Sequence, residues 1–148
     1  MITDVSALEN QYLQFIEKAI EQQKVWTIVS DDDMPLFQSQ QYDDLLAMPF
    51  FSNLDAALIM TAEEEWKDFE IDEVPLEDFL ESWLIGLYTQ DVQVAAIWNE
   101  ELMGREFEPL ELAIAFIEEL KKANIDLEFE KFESVDQLFE EIKNTLAD

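Results

Sequence analysis

The chain has 148 residues, 36 acidic against 8 basic, and a formal net charge of −28: the length of one domain, under strong self-repulsion. It has no Cys and no His, which excludes disulfides, thiolate metal sites, cysteine nucleophiles and imidazole as base or ligand. Two Gly residues exclude a glycine-rich phosphate loop, and 12% aromatics among 49% hydrophobic residues exclude a disordered acidic tail.

Met1 to Ser6 contains no basic residue and no apolar run, so no secretion signal is read there and a soluble, cytoplasmic protein is expected. Ser6 and Glu9 have capping-box spacing. Leu8, Tyr12, Phe15, Ile16, Ala19 and Ile20 then form one helical stripe that should end near Gln23. Val25 to Val29 is β-branched and aromatic, hence a strand. Asp31-Asp32-Asp33 reads as a solvated turn; it lacks the alternating ligands, central Gly and distal Glu of a calcium loop. Met34 to Phe37 is expected to return as a second strand, with Pro35 on an edge.

Residues 39–48 show no decisive pattern, and Pro49 to Ser52 leads to a helix capped by Ser52 or Asn53 that runs to about Trp66. Phe69 to Asp72 alternates apolar and acidic residues, as a short strand with one wet face would. Pro75 opens the most regular helix, carried by Leu76, Phe79, Leu80, Trp83, Leu84, Leu87 and Tyr88. Val92 to Trp98 is a central strand, and residues 99–107 a polar turn containing Gly104. Pro109 starts a helix to about Lys122, with Asn124 as its stop. Its apolar run, Leu112 to Ile117, is far short of the roughly 20 residues needed to span a bilayer.

Ile125 to Glu130 alternates strictly and reads as a strand. Ser134 and Gln137 repeat the capping-box pattern ahead of a last helix through Val135, Leu138, Phe139, Ile142 and Leu146. The expected fold is α+β: a single compact domain over residues 1–148, about five helices packed on a mixed, mostly antiparallel sheet of five or six short strands. Residues 125–148 form a C-terminal strand–helix extension.

Four segments resemble the bacterial domain-of-unknown-function family numbered 2750 over roughly residues 8–120. They are Val25-Trp26-Thr27-Ile28, Pro49-Phe50-Phe51-Ser52, Phe79 to Leu87, and Val94 to Asn99. The family patterns are a "VWTI" strand, a "PFWS" helix start, a "WLPGL" helix and a "VGVNW" strand. Here Phe51 stands for Trp and Ile85 for Pro, and the last strand reads Val-Ala-Ala-Ile-Trp-Asn. These motifs are apolar and structural, so the resemblance implies no catalytic residue. Small families of this kind include immunity proteins found beside toxins.

The charge is evenly spread: residues 1–74 hold 17 acids and 3 bases, residues 75–148 hold 19 and 5, so each half carries −14. The densest stretch is Glu63, Glu64, Glu65, Asp68, Glu70, Asp72, Glu73, Glu77, Asp78 and Glu81, opposed only by Lys67. With Trp66 as an aromatic anchor, it is the candidate docking surface for a basic protein; solvated helix and strand faces are the plainer explanation. Trp26, Trp83 and Trp98 are expected in the core.

The favoured function is a non-catalytic acidic protein that neutralises a basic partner. Its concrete form is an immunity protein or inhibitor of a basic, nuclease-type toxin. The alternatives are a DNA mimic that sequesters a nucleic-acid-binding protein, and an enzyme working through carboxylates alone. No cofactor or metal is expected, and the charge repels nucleic acid and anionic membranes.

Overall fold

The computed structural model describes residues 5–30, 36–38, 45–97 and 104–147. Within them helix α1 (Val5–Gln22) leads into strand β1 (Lys24–Val29), followed by β2 (Phe37–Gln38) and β3 (Leu46–Phe51). Helix α2 (Leu54–Thr61) and a 3₁₀ turn (Glu64–Trp66) precede β4 (Glu70–Pro75). One helical rod then runs from α3 (Leu76–Asp78) through a π stretch (Phe79–Trp83) into α4 (Leu84–Thr89). Strands β5 (Val92–Ile97) and β6 (Gly104–Phe107) are followed by α5 (Pro109–Lys122) and α6 (Val135–Ala147). The fold is α+β, with five helices and a mixed sheet, as the residue patterns imply.

The sheet runs β4-β1-β3-β5-β6, with β2 also on β3. Only β3 and β5 are parallel; the other pairs are antiparallel. Pro49 explains how β1 and β2 share one side of β3. It has no N–H to give to a neighbour. Pairing of β1 with β3 is confined to Trp26 opposite Phe51, and β2 takes the other end through Ala47 and Leu46. Beside Pro49 the ladder is replaced by the buried Thr27 hydroxyl, which donates to the Pro49 carbonyl over 2.7 Å.

Side chains alternate across the sheet, so it has two cores. On one face Val25, Phe50, Val94 and Ala96 meet α1, the α3–π–α4 rod, α5 and α6. On the other Trp26, Ile28, Phe51 and Ile97 meet α2, Trp66, Phe69 and Ile71. Trp83 is half-buried against the larger core, 5.7 Å from Phe50 between ring centres; Trp98 lies outside the described residues.

Several boundaries differ from expectation. Residues 46–51 are a strand, not the approach to a helix, and the helix capped by Asn53 ends at Thr61 instead of Trp66. The strand expected at 69–72 is β4, which continues to Pro75. Of Met34 to Phe37 only Leu36 and Phe37 are described, with Phe37 opening β2; Asp31 to Asp33 and Pro35 lie outside the described residues. Helix α1 begins at Val5, before Ser6, and the side chains of residues 5–12 are not described. Gly104 begins a strand rather than sitting in a turn.

Ile125 to Glu130 is not a strand. It is a strap that pairs with no strand among the described residues, so its alternation serves burial: Ile125, Leu127 and Phe129 pack on the larger core, while Asp126, Glu128 and Glu130 stay exposed. Its ends are fixed by capping. Asn124 adopts φ 57°, and the Ile125 and Asn124 amides donate back to Leu120 and Lys121, a Schellman closure of α5. Ser134 accepts from Gln137 N–H at the start of α6, and Gln137 Oε1 accepts from Glu133 N–H.

Gln23 (φ 59°) and Asp91 (φ 58°) also turn a helix into a strand in left-handed conformation, where a side chain costs about 1–2 kcal/mol. Gln23→Gly should stabilise the protein by about 0.5–1 kcal/mol in urea unfolding, after glycine's greater unfolded-state freedom is subtracted. Asp91→Gly and Asn124→Gly should gain less, because Asp and Asn tolerate this region.

Candidate functional site

The acidic stretch from Glu63 to Glu81 folds into three different environments. Glu63, Glu64 and Asp68 are exposed around the 3₁₀ turn after α2. Glu70, Asp72 and Glu73 are exposed on β4, an edge strand, and Asp78 is exposed on α3 with Glu77 half-buried. The side chain of Glu65 lies outside the described residues. Two lysines face this group. Lys67 pairs with Glu64 at 2.7 Å, and Lys24 pairs with Glu73 while lying 5.5 Å from the centre of the Trp26 ring. Both pairs are exposed and contribute little to stability. Carboxylates along an open edge also oppose strand addition by another chain.

Two members of the candidate set are not on this surface. Trp66 is 8% exposed, packed 5.3 Å from Phe69 in the smaller core, so it closes that core instead of presenting an anchor. Glu81 is 2% exposed. Its two carboxylate oxygens accept the Glu130 and Lys131 amides of the strap at 3.1 and 3.0 Å. It acts within the chain, for a reason local to the helix. In the π stretch Leu84 N–H reaches back five residues to the Phe79 carbonyl, and Phe79, Leu80 and Glu81 are all buried in succession.

Other acids also serve the fold. Glu108 caps α5 by accepting from Leu110 and Glu111 N–H, and Asp126 accepts from Leu127 and Val135 N–H at the entrance to α6. Lys121 bridges α5 to α6, 2.9 Å from Asp136 and 4.1 Å from the centre of the Phe139 ring.

The surface beside the acidic edge is apolar. The helix expected from Ser52 or Asn53 onward has an apolar outer face that the sequence reading did not anticipate: on α2 Leu54, Leu58 and Ile59 are exposed while Ala56, Ala57 and Met60 face the core. The signal was present: six of its eight residues are apolar, with no stretch of charges for an outer face.

A cleft of ≈390 Å³ lies between α4, the strap and α6, lined by Ile85, Tyr88, Leu110, Phe132 and Ile142 among others. The one buried carboxylate in its wall is Glu81, already bound to main-chain amides. Among the described residues no group of three or more Asp and Glu is placed to hold a metal ion, and no helix is long and apolar enough to cross a membrane.

The segments that carry the family resemblance meet at the sheet centre. Trp26 is opposite Phe51, Thr27 bonds Pro49, Ser52 N–H donates to the Ile97 carbonyl at 3.1 Å, and Trp83 packs edge-on to Phe50. A family model described as Protein of unknown function (DUF2750) matches residues 12–116, which contain all of β1 to β6 and most of α5. No curated protein and no solved structure matches the chain.

Proposed function

The chain belongs to the DUF2750 family, and we propose that it is a non-catalytic acidic binding protein that occludes a basic protein partner. An immunity protein for a basic, nuclease-type toxin is the concrete form. The observation that carries this reading is the exposed carboxylate group of β4 and the 3₁₀ turn, beside which the described lysines are already paired. Such a surface raises the encounter rate with a cationic partner and repels nucleic acid and other anions.

The acids lie on several elements, including β4, the strap and α6, instead of in one continuous row. This favours docking of a basic protein over mimicry of a duplex, whose charges recur every ~1.7 Å along a single axis. Acid–base chemistry finds little support in the cleft, where the buried carboxylate is engaged by the strap.

Affinity capture from the native host at low salt tests the reading. A captured basic nuclease whose activity falls on addition of the purified protein is the expected result. Retention of no basic protein would sink the proposal. Salt should move two properties in opposite directions. Between about 0.05 M and about 0.5 M NaCl the complex should weaken, while the thermal midpoint of the free protein rises as self-repulsion is screened. A midpoint that falls or stays level would mean that the net charge is not a burden on the fold.

A further inference from the structure

We infer that the outward face of α2 is the apolar anchor of a docking site for a cationic protein segment, with the neighbouring carboxylates as its rim; this rests on the reading of the chain as an acidic binding protein. At about 100° per residue, Leu54, Asp55, Leu58 and Ile59 share one side of α2, opposite Ala56, Ala57 and Met60. Leu54 is 41% exposed, Leu58 51% and Ile59 40%. A surface helix ordinarily turns polar residues outward, and a helix apolar all round is ordinarily covered.

This chain has many acids to place on outer faces and does so elsewhere. On α1 the exposed positions include Glu17 and Glu21, and on α6 Asp136, Glu140 and Glu141. On α2 the corresponding arc holds only Asp55 among three large aliphatic side chains. Contiguous exposed apolar surface with a polar rim is the anatomy of a protein interface.

The rim identifies the occupant. Asp55 lies on the helix itself, and the exposed Glu63, Glu64 and Asp68 follow its C-terminal end on and beside the 3₁₀ turn, whose Trp66 shares one core with Met60. Lys67, the cation in that stretch, is bound to Glu64. A second copy of the chain would set like rims together, each on a molecule of charge −28. A basic segment with its own apolar stripe meets both features: aliphatic side chains against Leu54, Leu58 and Ile59, and Lys or Arg against the carboxylates.

The test uses the full chain and two synthetic helical peptides of about 15 residues with identical lysine content. One carries a leucine stripe; its twin has glutamine in place of leucine. By titration at low salt, the wild-type protein should bind the striped peptide at least about tenfold more tightly than the twin. The double variant Leu54→Ser/Leu58→Ser, checked for an unchanged thermal midpoint, should lose that margin but keep the weaker, salt-sensitive binding of the twin. Equal binding of both peptides by the wild type would overturn the inference and leave the electrostatic reading standing. So would a margin that survives the double substitution, or a wild-type dimer that the double variant dissolves. If neither peptide binds at low salt, the parent reading falls and this inference with it.

Discussion

Replacing Phe79 by Ala should destabilise the protein by about 3–5 kcal/mol, a large part of the roughly 5–15 kcal/mol available to a domain. Phe79 is fully buried and joins two aromatic contacts that would otherwise be separate. Its ring lies 4.9 Å from Phe50 on β3 and 5.8 Å from Phe116 on α5, and Phe116 in turn meets Phe15 on α1 at 6.1 Å. One side chain therefore ties the sheet to two of the helices above it. Its loss removes apolar burial and leaves a cavity that four separate elements would have to collapse to fill. Phe79→Leu, which restores most of the volume, should recover more than half of the loss. Urea unfolding checks both variants; a cost for Phe79→Ala below about 1 kcal/mol would mean that the site repacks freely.

Glu81→Ala should cost about 2–4 kcal/mol, and its effect should be concentrated in the C-terminal part of the chain. The substitution leaves the Glu130 and Lys131 amides without their carboxylate, which joins positions 49 and 50 residues apart in sequence. Hydrogen bonds to a charged group contribute about 1.5–3 kcal/mol each and do not add simply. The strap keeps its apolar contacts through Leu127 and Phe129, so the fold should survive while the strap loosens. Amide exchange at Glu130 and Lys131 should accelerate in Glu81→Ala well before exchange in β3 and β5. Glu81→Gln retains one acceptor oxygen and should fall between the two. Unchanged exchange at both amides would show that the apolar contacts alone fasten the strap.

These two residues also mark where the sequence was readable. The stripe from Leu76 to Tyr88 announces its helix, and Phe79 is plainly on the core side of it. Glu81 falls in the densest acidic stretch and reads as surface. What reverses this is a five-residue hydrogen bond and a strap folded back from the far end of the chain, neither of which has a local signature.

β1, β5, α5 and α6 were legible because β-branched runs, Pro at a first turn and capping spacing are local properties. β3 was hidden because Pro49 argues against a central strand; the structure accommodates it by ending one ladder there. The strap was misread because period-two burial states which side is dry and says nothing about a backbone partner. The exposed face of α2 was not legible because apolar spacing marks a helix without saying how many of its sides another element covers.

The Trp26–Phe51 pair gives the acidic edge a mechanical character of its own. β4 is registered to β1 along six consecutive residues, and β3 to β5 along another six, but β1 meets β3 at that one pair and at the Thr27 hydroxyl. The sheet is thus two stiff ribbons joined by a narrow seam. The carboxylates of β4 ride on the outer ribbon, which carries Ile28 and Ile71 against α2 and the 3₁₀ turn. Tilting about the seam would carry the charged edge with it, and because Val25 and Val74 of the same ribbon are buried in the larger core, it would be resisted from the far face.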